Sequence, residues 1–160
     1  MIDSEKEEQL FVSPVNNTVL FASALHGFDG ELLSSLGWCF SLRQFADLYA
    51  PVLGISKVKL VKYMWGDYVY NAKNKTVSAW STSSKEPPIF VKMVLSLVWR
   101  VYRSVYKHNE ELLRSLLETI HVSLTPRELQ ISDESVLVKT IMERWLPLYR
   151  SVLSRVVDGL

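Results

Sequence analysis

The most regular pattern in the chain lies over residues 88–107, PIFVKMVLSLVWRVYRSVYK. There polar Lys92, Ser96, Arg100, Arg103 and Lys107 recur at intervals of 4, 4, 3 and 4 with nearly everything between them apolar. That spacing predicts a long helix begun at Pro88, mostly buried, with one narrow basic stripe. At 1.5 Å per residue it is about 30 Å long. Upstream, residues 9–13 and 18–22 read as two strands of a hairpin around Pro14-Val15-Asn16-Asn17. Ser41 stands as the N-cap of a helix that places Leu42, Phe45, Ala46 and Tyr49 on one face and is closed by Pro51. A second helix over 56–64 is broken by Trp65-Gly66-Asp67. Residues 68–70 and 76–80 then form a hairpin around the polar loop 71–75.

Downstream of the long helix, residues 110–120 repeat leucines at helical spacing, and 121–124 alternate like a strand. Thr125-Pro126-Arg127-Glu128 reads as a cap and a helical turn, and Ser132-Asp133 cap a helix through Trp145. Pro147 lacks a backbone donor and starts a last helix, with Leu148, Tyr149, Val152, Leu153, Val156 and Val157 on one apolar stripe.

Composition supports a packed domain. Of 160 residues 48% are hydrophobic and 22% charged, the balance of a globular chain. A chain of this length buries roughly two thirds of its unfolded surface. The opening MIDSEKEEQL is acidic where a secretory signal is basic and then apolar. The most apolar run, 89–106, contains Lys92, Arg100 and Arg103, which argues against a membrane span. A single cysteine, Cys39, permits no internal disulfide and fits a reducing compartment. The expectation is a soluble, cytoplasmic monomer.

Charge sharpens the picture, because the net +1 is unevenly spread. Residues 57–108 hold ten Lys and Arg against Asp67 and Glu86, whereas residues 1–56 hold Lys6 and Arg43 against seven acids. A basic middle third offers a surface for phosphates or an acidic protein, and equally serves as an ordinary solvated face. No autonomous active site is visible. His26, His108 and His121 lack ligand spacing, Cys39 between Trp38 and Phe40 reads as a buried inert thiol, and no G-x-x-x-x-G-K-[ST] loop is present.

Four stretches carry a resemblance. QLFVSPVNNTVLFASALHG, GWCFSLRQFADLYAPVLGISK, YMWGDYVYNAKNK and RWLPLYRSVLSRVV resemble, in this order and over nearly the whole chain, the second half of the GTPase domain of the elongation factor 2 family. WGDYVYNAKNKTV and PPIFVKMVLSLVWRVY lean towards the elongation factor-like branch of ribosome biogenesis, whereas Leu25-His26-Gly27 is the form of elongation factor 2 itself. The resemblance implies an α/β (α+β) fold. Residues 1–50 would be the end of an incomplete P-loop GTPase core, 51–146 an inserted, mainly helical subdomain carrying a small β-hairpin, and 147–160 a helix returning to the core. Residues 28–37, FDGELLSSLG, interrupt the family pattern as an insertion.

By the same resemblance Ser23, Ala24 and Leu25 line a guanine pocket, a backbone amide at Ala24 serving the base. The family's phosphate loop, switches, catalytic His and Asn-Lys-x-Asp motif are not in these residues. GTP and magnesium therefore belong to a longer parent protein, and this fragment is expected to hold neither. Lys92, Arg100, Arg103 and Lys107 become a candidate surface for the large ribosomal subunit, either the acidic tails of its stalk-region proteins or ribosomal RNA. In the biogenesis branch the implied work is release of an anti-association factor with a small partner protein; in the elongation branch it is translocation. A free-standing ribosomal protein-binding module and a direct nucleic-acid binder are the competing classes.

Overall fold

The computed structural model describes residues 12–22 and 37–158. Residues 9–11 of the expected hairpin, and 28–36 of the insertion, lie outside the described residues. The turn between is a short 3-10 turn, Pro14–Asn16, in which Ser13 Oγ accepts the Val15 amide at 3.2 Å and Asn17 closes at φ 58°. The next strand, β1 (Phe21–Ala22), pairs antiparallel with β2 (Cys39–Phe40), so that Phe21 faces Phe40. Residues 39–40, read from sequence only as the approach to a helix, are thus the strand partner of β1.

Helix α1 (Leu42–Leu53) begins with a capping box, in which Gln44 Oε1 accepts the Ser41 amide at 2.9 Å. Pro51 does not end it, as the sequence predicts. A proline this close to a C-terminus removes a single helical hydrogen bond, so the chain turns on to Gly54 at φ 66°, whose amide bonds the Ala50 carbonyl at 3.0 Å. The junction between residues 50 and 51 therefore falls inside a helix. Helix α2 (Lys57–Met64) follows, then the hairpin of β3 (Tyr68–Asn71) and β4 (Thr76–Ala79), with Asn71 opposite Thr76. Asn71 Oδ1 accepts the Lys73 and Asn74 amides and so builds the loop from its own first side chain.

The long helix begins as a π turn, Phe90–Leu95, and continues as α3 (Ser96–Tyr106). Helix α4 (Glu110–Thr119) is capped by Asn109, whose Oδ1 accepts the Leu112 amide at 2.8 Å. Residues 121–124 are not a strand. His121 sits at φ 55° and the Val122 amide returns to the Leu117 carbonyl at 2.9 Å, which closes α4. The apolar alternation there instead turns Val122 and Leu124 onto the core. The turn α5 (Pro126–Leu129) carries the Thr125–Glu128 capping box, and α6 (Glu134–Trp145) is capped by Asp133, whose Oδ1 accepts the Ser135 and Val136 amides.

These elements make a mixed α+β structure, mainly helical with two small antiparallel sheets. One continuous apolar core runs through Phe45, Leu60, Met64, Ile89, Val94, Val101, Leu116, Ile141 and Met142.

The final helix, α7 (Leu148–Asp158), docks differently from its pattern. The predicted apolar stripe faces outward: Tyr149 is 67% exposed and Leu153 58%, with Val152 and Val156 also open. The side against the molecule is Ser151, only 4% exposed, whose Oγ donates to the Cys39 carbonyl at 2.9 Å and accepts from Gln44 Nε2 at 3.1 Å. Next to it the Cys39 amide bonds the Leu146 carbonyl at 3.0 Å, and Trp38 bridges to Pro147.

Ser151→Ala should therefore lower stability by about 1–3 kcal/mol, because it orphans a buried carbonyl and an amide. Leu153→Ala should change it by less than about 0.5 kcal/mol. Urea midpoints of the two variants check the contrast, and a larger loss for Leu153→Ala would mean that α7 packs by its apolar stripe.

Candidate partner-binding surface

Over residues 88–107 the chain has no acidic side chain. The helix buries Leu97, Val98, Val101, Ser104 and Val105 on one side. The other side differs from the expected purely basic stripe, because aromatic rings stand among the cations. Trp99 is 54% exposed and Tyr106 50%. Tyr106 stacks on Tyr102 with ring centroids 6.5 Å apart, and its hydroxyl lies 3.3 Å from Ser135 Oγ on α6. At 100° per residue Trp99, Arg103 and Tyr106 share the face opposite Val101, and Lys107 flanks it. The spacing of polar residues predicts only a basic stripe on a mostly buried helix, and it gives no sign that Trp99 stands in the open.

The four predicted basic residues do not form one uniform stripe. Lys92 Nζ is paired with Glu86 Oε2 at 2.6 Å across the loop before the helix. Arg100 is half-buried beside Tyr49 of α1; burial pushes the Tyr49 hydroxyl above its usual range, and the Arg100 charge pulls it back. Arg103 and Lys107 are exposed, and no carboxylate among the described residues pairs with Arg100, Arg103 or Lys107. Arg103 and Lys107 are one turn apart, about 6 Å along the axis.

The other predicted site residues, Ser23, Ala24 and Leu25, lie outside the described residues, as does His26. What is described is their anchor: β1 ends at Ala22. Phe21 packs on Phe40 at 5.2 Å and on Trp65 and Phe90 at 5.7 Å each, which ties the strand to the helical lobe. Cys39 is buried, and burial raises its thiol pKa, so it is an inert core group rather than a nucleophile.

A separate trough of about 830 Å³ opens between the start of α1, the end of α4 and the α6–α7 corner, rimmed by Arg43, Asp47, His121, Arg144 and Arg150 over Leu48, Val122 and Trp145. Two of its charges are matched from outside the trough. Asp47 pairs with Lys57 at 2.5 Å, and Arg144 pairs with Glu128 and donates to the Ser123 carbonyl. Among the described residues no group of three His, Cys, Asp or Glu is placed to hold a metal ion, and no helix is long and apolar enough to cross a membrane.

No protein-family model matches the chain. Relatives are nonetheless found across almost all of it. It is 30% identical over 99% of its length to Elongation factor-like GTPase 1 of Mus musculus and 29% identical over the same share to that of Homo sapiens. To Ribosome assembly protein 1 of Schizosaccharomyces pombe it is 32% identical over 92%. By sequence the chain is similar along nearly its whole length to elongation factor-like GTPases. It spans 13–14% of the length of these curated relatives. The resemblance drawn from the Ser-Ala-Leu, Trp-Gly-Asp and Trp-Leu-Pro stretches is thereby shown, including its lean towards ribosome assembly.

Glu128 holds the Arg144 rim of the trough. Its carboxylate is kept below the usual range first by the Thr125 amide at 2.7 Å, then by the Thr125 hydroxyl, with Arg144 adding to both. A carboxylate depressed on folding stabilises above its unfolded pKa, and that stability is lost as the pH falls through the folded one. Glu128→Gln should therefore melt below the wild type at pH 7 and converge with it at acid pH. Calorimetric melts across that range check this, and a gap that persists below the carboxylate range would assign the effect to packing.

Proposed function

We propose that the chain is a segment of a ribosome-associated GTPase acting in large-subunit assembly. In this reading it completes a guanine pocket with Ser23, Ala24 and Leu25 and carries a lobe that faces the ribosome. The observation that carries the reading is the inverted docking of α7. A helix that turns Ser151 inward and leaves Tyr149, Val152, Leu153 and Val156 open presents an apolar face for further protein to cover. The relatives, matched along nearly the whole chain yet several times longer, supply a GTPase body of the right kind.

Under this reading the parent protein binds GTP with magnesium and hydrolyses it on the large subunit, where it releases an anti-association factor together with a small partner. The part proposed for this segment is positional: β1, which ends one residue before Ser23 in the chain, is packed through Phe21 on Phe40, Trp65 and Phe90. The names of the yeast relatives favour assembly over translocation.

Two measurements test the proposal. The chain alone should show no submicromolar affinity for labelled GTP in equilibrium dialysis; tight binding would overturn the segment reading. The double variant Arg100→Glu, Arg103→Glu should weaken co-sedimentation with large ribosomal subunits at least tenfold, and unchanged binding would remove the basic face from the ribosomal contact.

A further inference from the structure

We infer that the solvent face of α3 binds unpaired RNA by stacking a base on Trp99 while Arg103 and Lys107 hold neighbouring phosphates. The inference rests on the ribosomal reading above and narrows its partner to one chemistry. Three features of the face carry it. First, it is cationic without compensation: the twenty residues of the helix and its approach contain no acid, and Arg103 and Lys107 have no carboxylate partner among the described residues. A solvated helix ordinarily intersperses both signs, so a bare cationic face is complementary to an anion.

Second, Trp99 is the wrong residue for an ordinary wet edge. More than half of it is exposed, at a position where the helix has ample buried surface elsewhere. The two cations stand about 6 Å apart along the axis, a span suited to successive phosphates of an extended strand. Trp99 lies one turn before Arg103 on the same face, which offers an open indole beside the charge.

Third, Trp99, Arg103 and Lys107 stand open on the helix surface, and none of them lines the α1–α4–α6–α7 trough or the smaller cavity along Arg114, Leu117 and His121. A peptide with acidic residues and apolar anchors needs a pocket for each anchor. A base needs only an accessible ring and a nearby cation. The geometry points to RNA over an acidic peptide.

The test is fluorescence anisotropy of the 160-residue chain with a labelled oligouridylate across a salt series, alongside a labelled RNA duplex and a labelled Asp/Leu-rich peptide. Oligouridylate should bind more tightly than either, with log K falling against log salt at a slope of about −1.4, the value for two phosphate contacts on a single strand. Trp99→Ala should weaken binding roughly 5- to 100-fold at every salt concentration with the slope unchanged, and Trp99→Tyr should restore most of it. Arg103→Gln with Lys107→Gln should flatten the slope towards zero. All three positions are exposed and leave the core intact, which circular dichroism verifies.

A Trp99→Ala variant that binds like wild type overturns the assignment, as does equal binding of the duplex or binding of the peptide alone. Absence of oligouridylate binding also overturns it, whether or not the chain associates with large ribosomal subunits. The subunit measurement by itself decides the ribosomal reading.

Discussion

Everything in this structure hangs on the place where residues 38–41 meet residues 146–151. The Cys39 amide bonds the Leu146 carbonyl, the Cys39 carbonyl accepts from Ser151, and Gln44 joins Ser151 to the start of α1. Between these two short segments lies the whole helical lobe. Closing a loop of this length costs on the order of 4 kcal/mol in chain entropy, and the apolar core from Phe45 to Met142 offsets it. The neck is polar and buried, so its hydrogen bonds act by fixing register: an unmade bond there leaves a desolvated carbonyl with nothing to replace it. This geometry is also why α7 is held by a serine. Its inward edge must satisfy the Cys39 carbonyl, and the apolar stripe is left to point away.

The π turn at Phe90–Leu95 solves a second constraint. In a regular helix Ile89 would point about 120° away from Val101, since twelve residues at 100° overshoot three turns by that angle. A π turn takes up roughly one extra residue, which rotates Ile89 back onto the core side, where it is fully buried. The same rotation separates Lys92 from the cations further along. Lys92 closes onto Glu86, while Arg103 and Lys107 stay with Trp99 on the open face. An evenly spaced stripe in the sequence thus becomes a structural half and a surface half.

Local chemistry was legible where a single side chain closes its own turn. Ser41, Thr125 with Glu128, and Asp133 each mark an element correctly because their hydrogen bonds span three residues or fewer. What escaped depends on partners far along the chain or on backbone compensation. The pairing of β1 with residues 39–40 crosses the 28–37 interruption, so no local rule selects it. Pro51 reads as a stop, yet it sits where a helix has few bonds left to lose. The alternation at 121–124 has the period of a strand, but the left-handed His121 makes it the exit of a helix. The long helix reads as mostly buried and α7 as carrying one apolar stripe, yet Trp99 and most of that stripe are exposed, because polarity does not say how much inward surface a helix has to offer. Of the candidate surface, the cations were readable in sequence and the rings among them were not.

The neck gives the lobe a mechanical relation to the residues proposed to read guanine. β1 ends at Ala22, one residue before Ser23, and its hydrogen-bonded partner is the same Cys39–Phe40 strand that forms the neck. Phe21 is packed at once on Phe40, Trp65 and Phe90, which belong to the neck, the end of α2 and the π turn. A displacement of the long helix therefore reaches β1 through direct ring contacts, without a flexible linker in between. Two sites become thermodynamically coupled only when a shared element has different free energies in two positions. The Phe21 cluster touches both the long helix and the strand that leads to Ser23. Were a partner seated on the outer face of α3 to influence nucleotide in the parent protein, those three aromatic contacts offer a direct route from the long helix to β1.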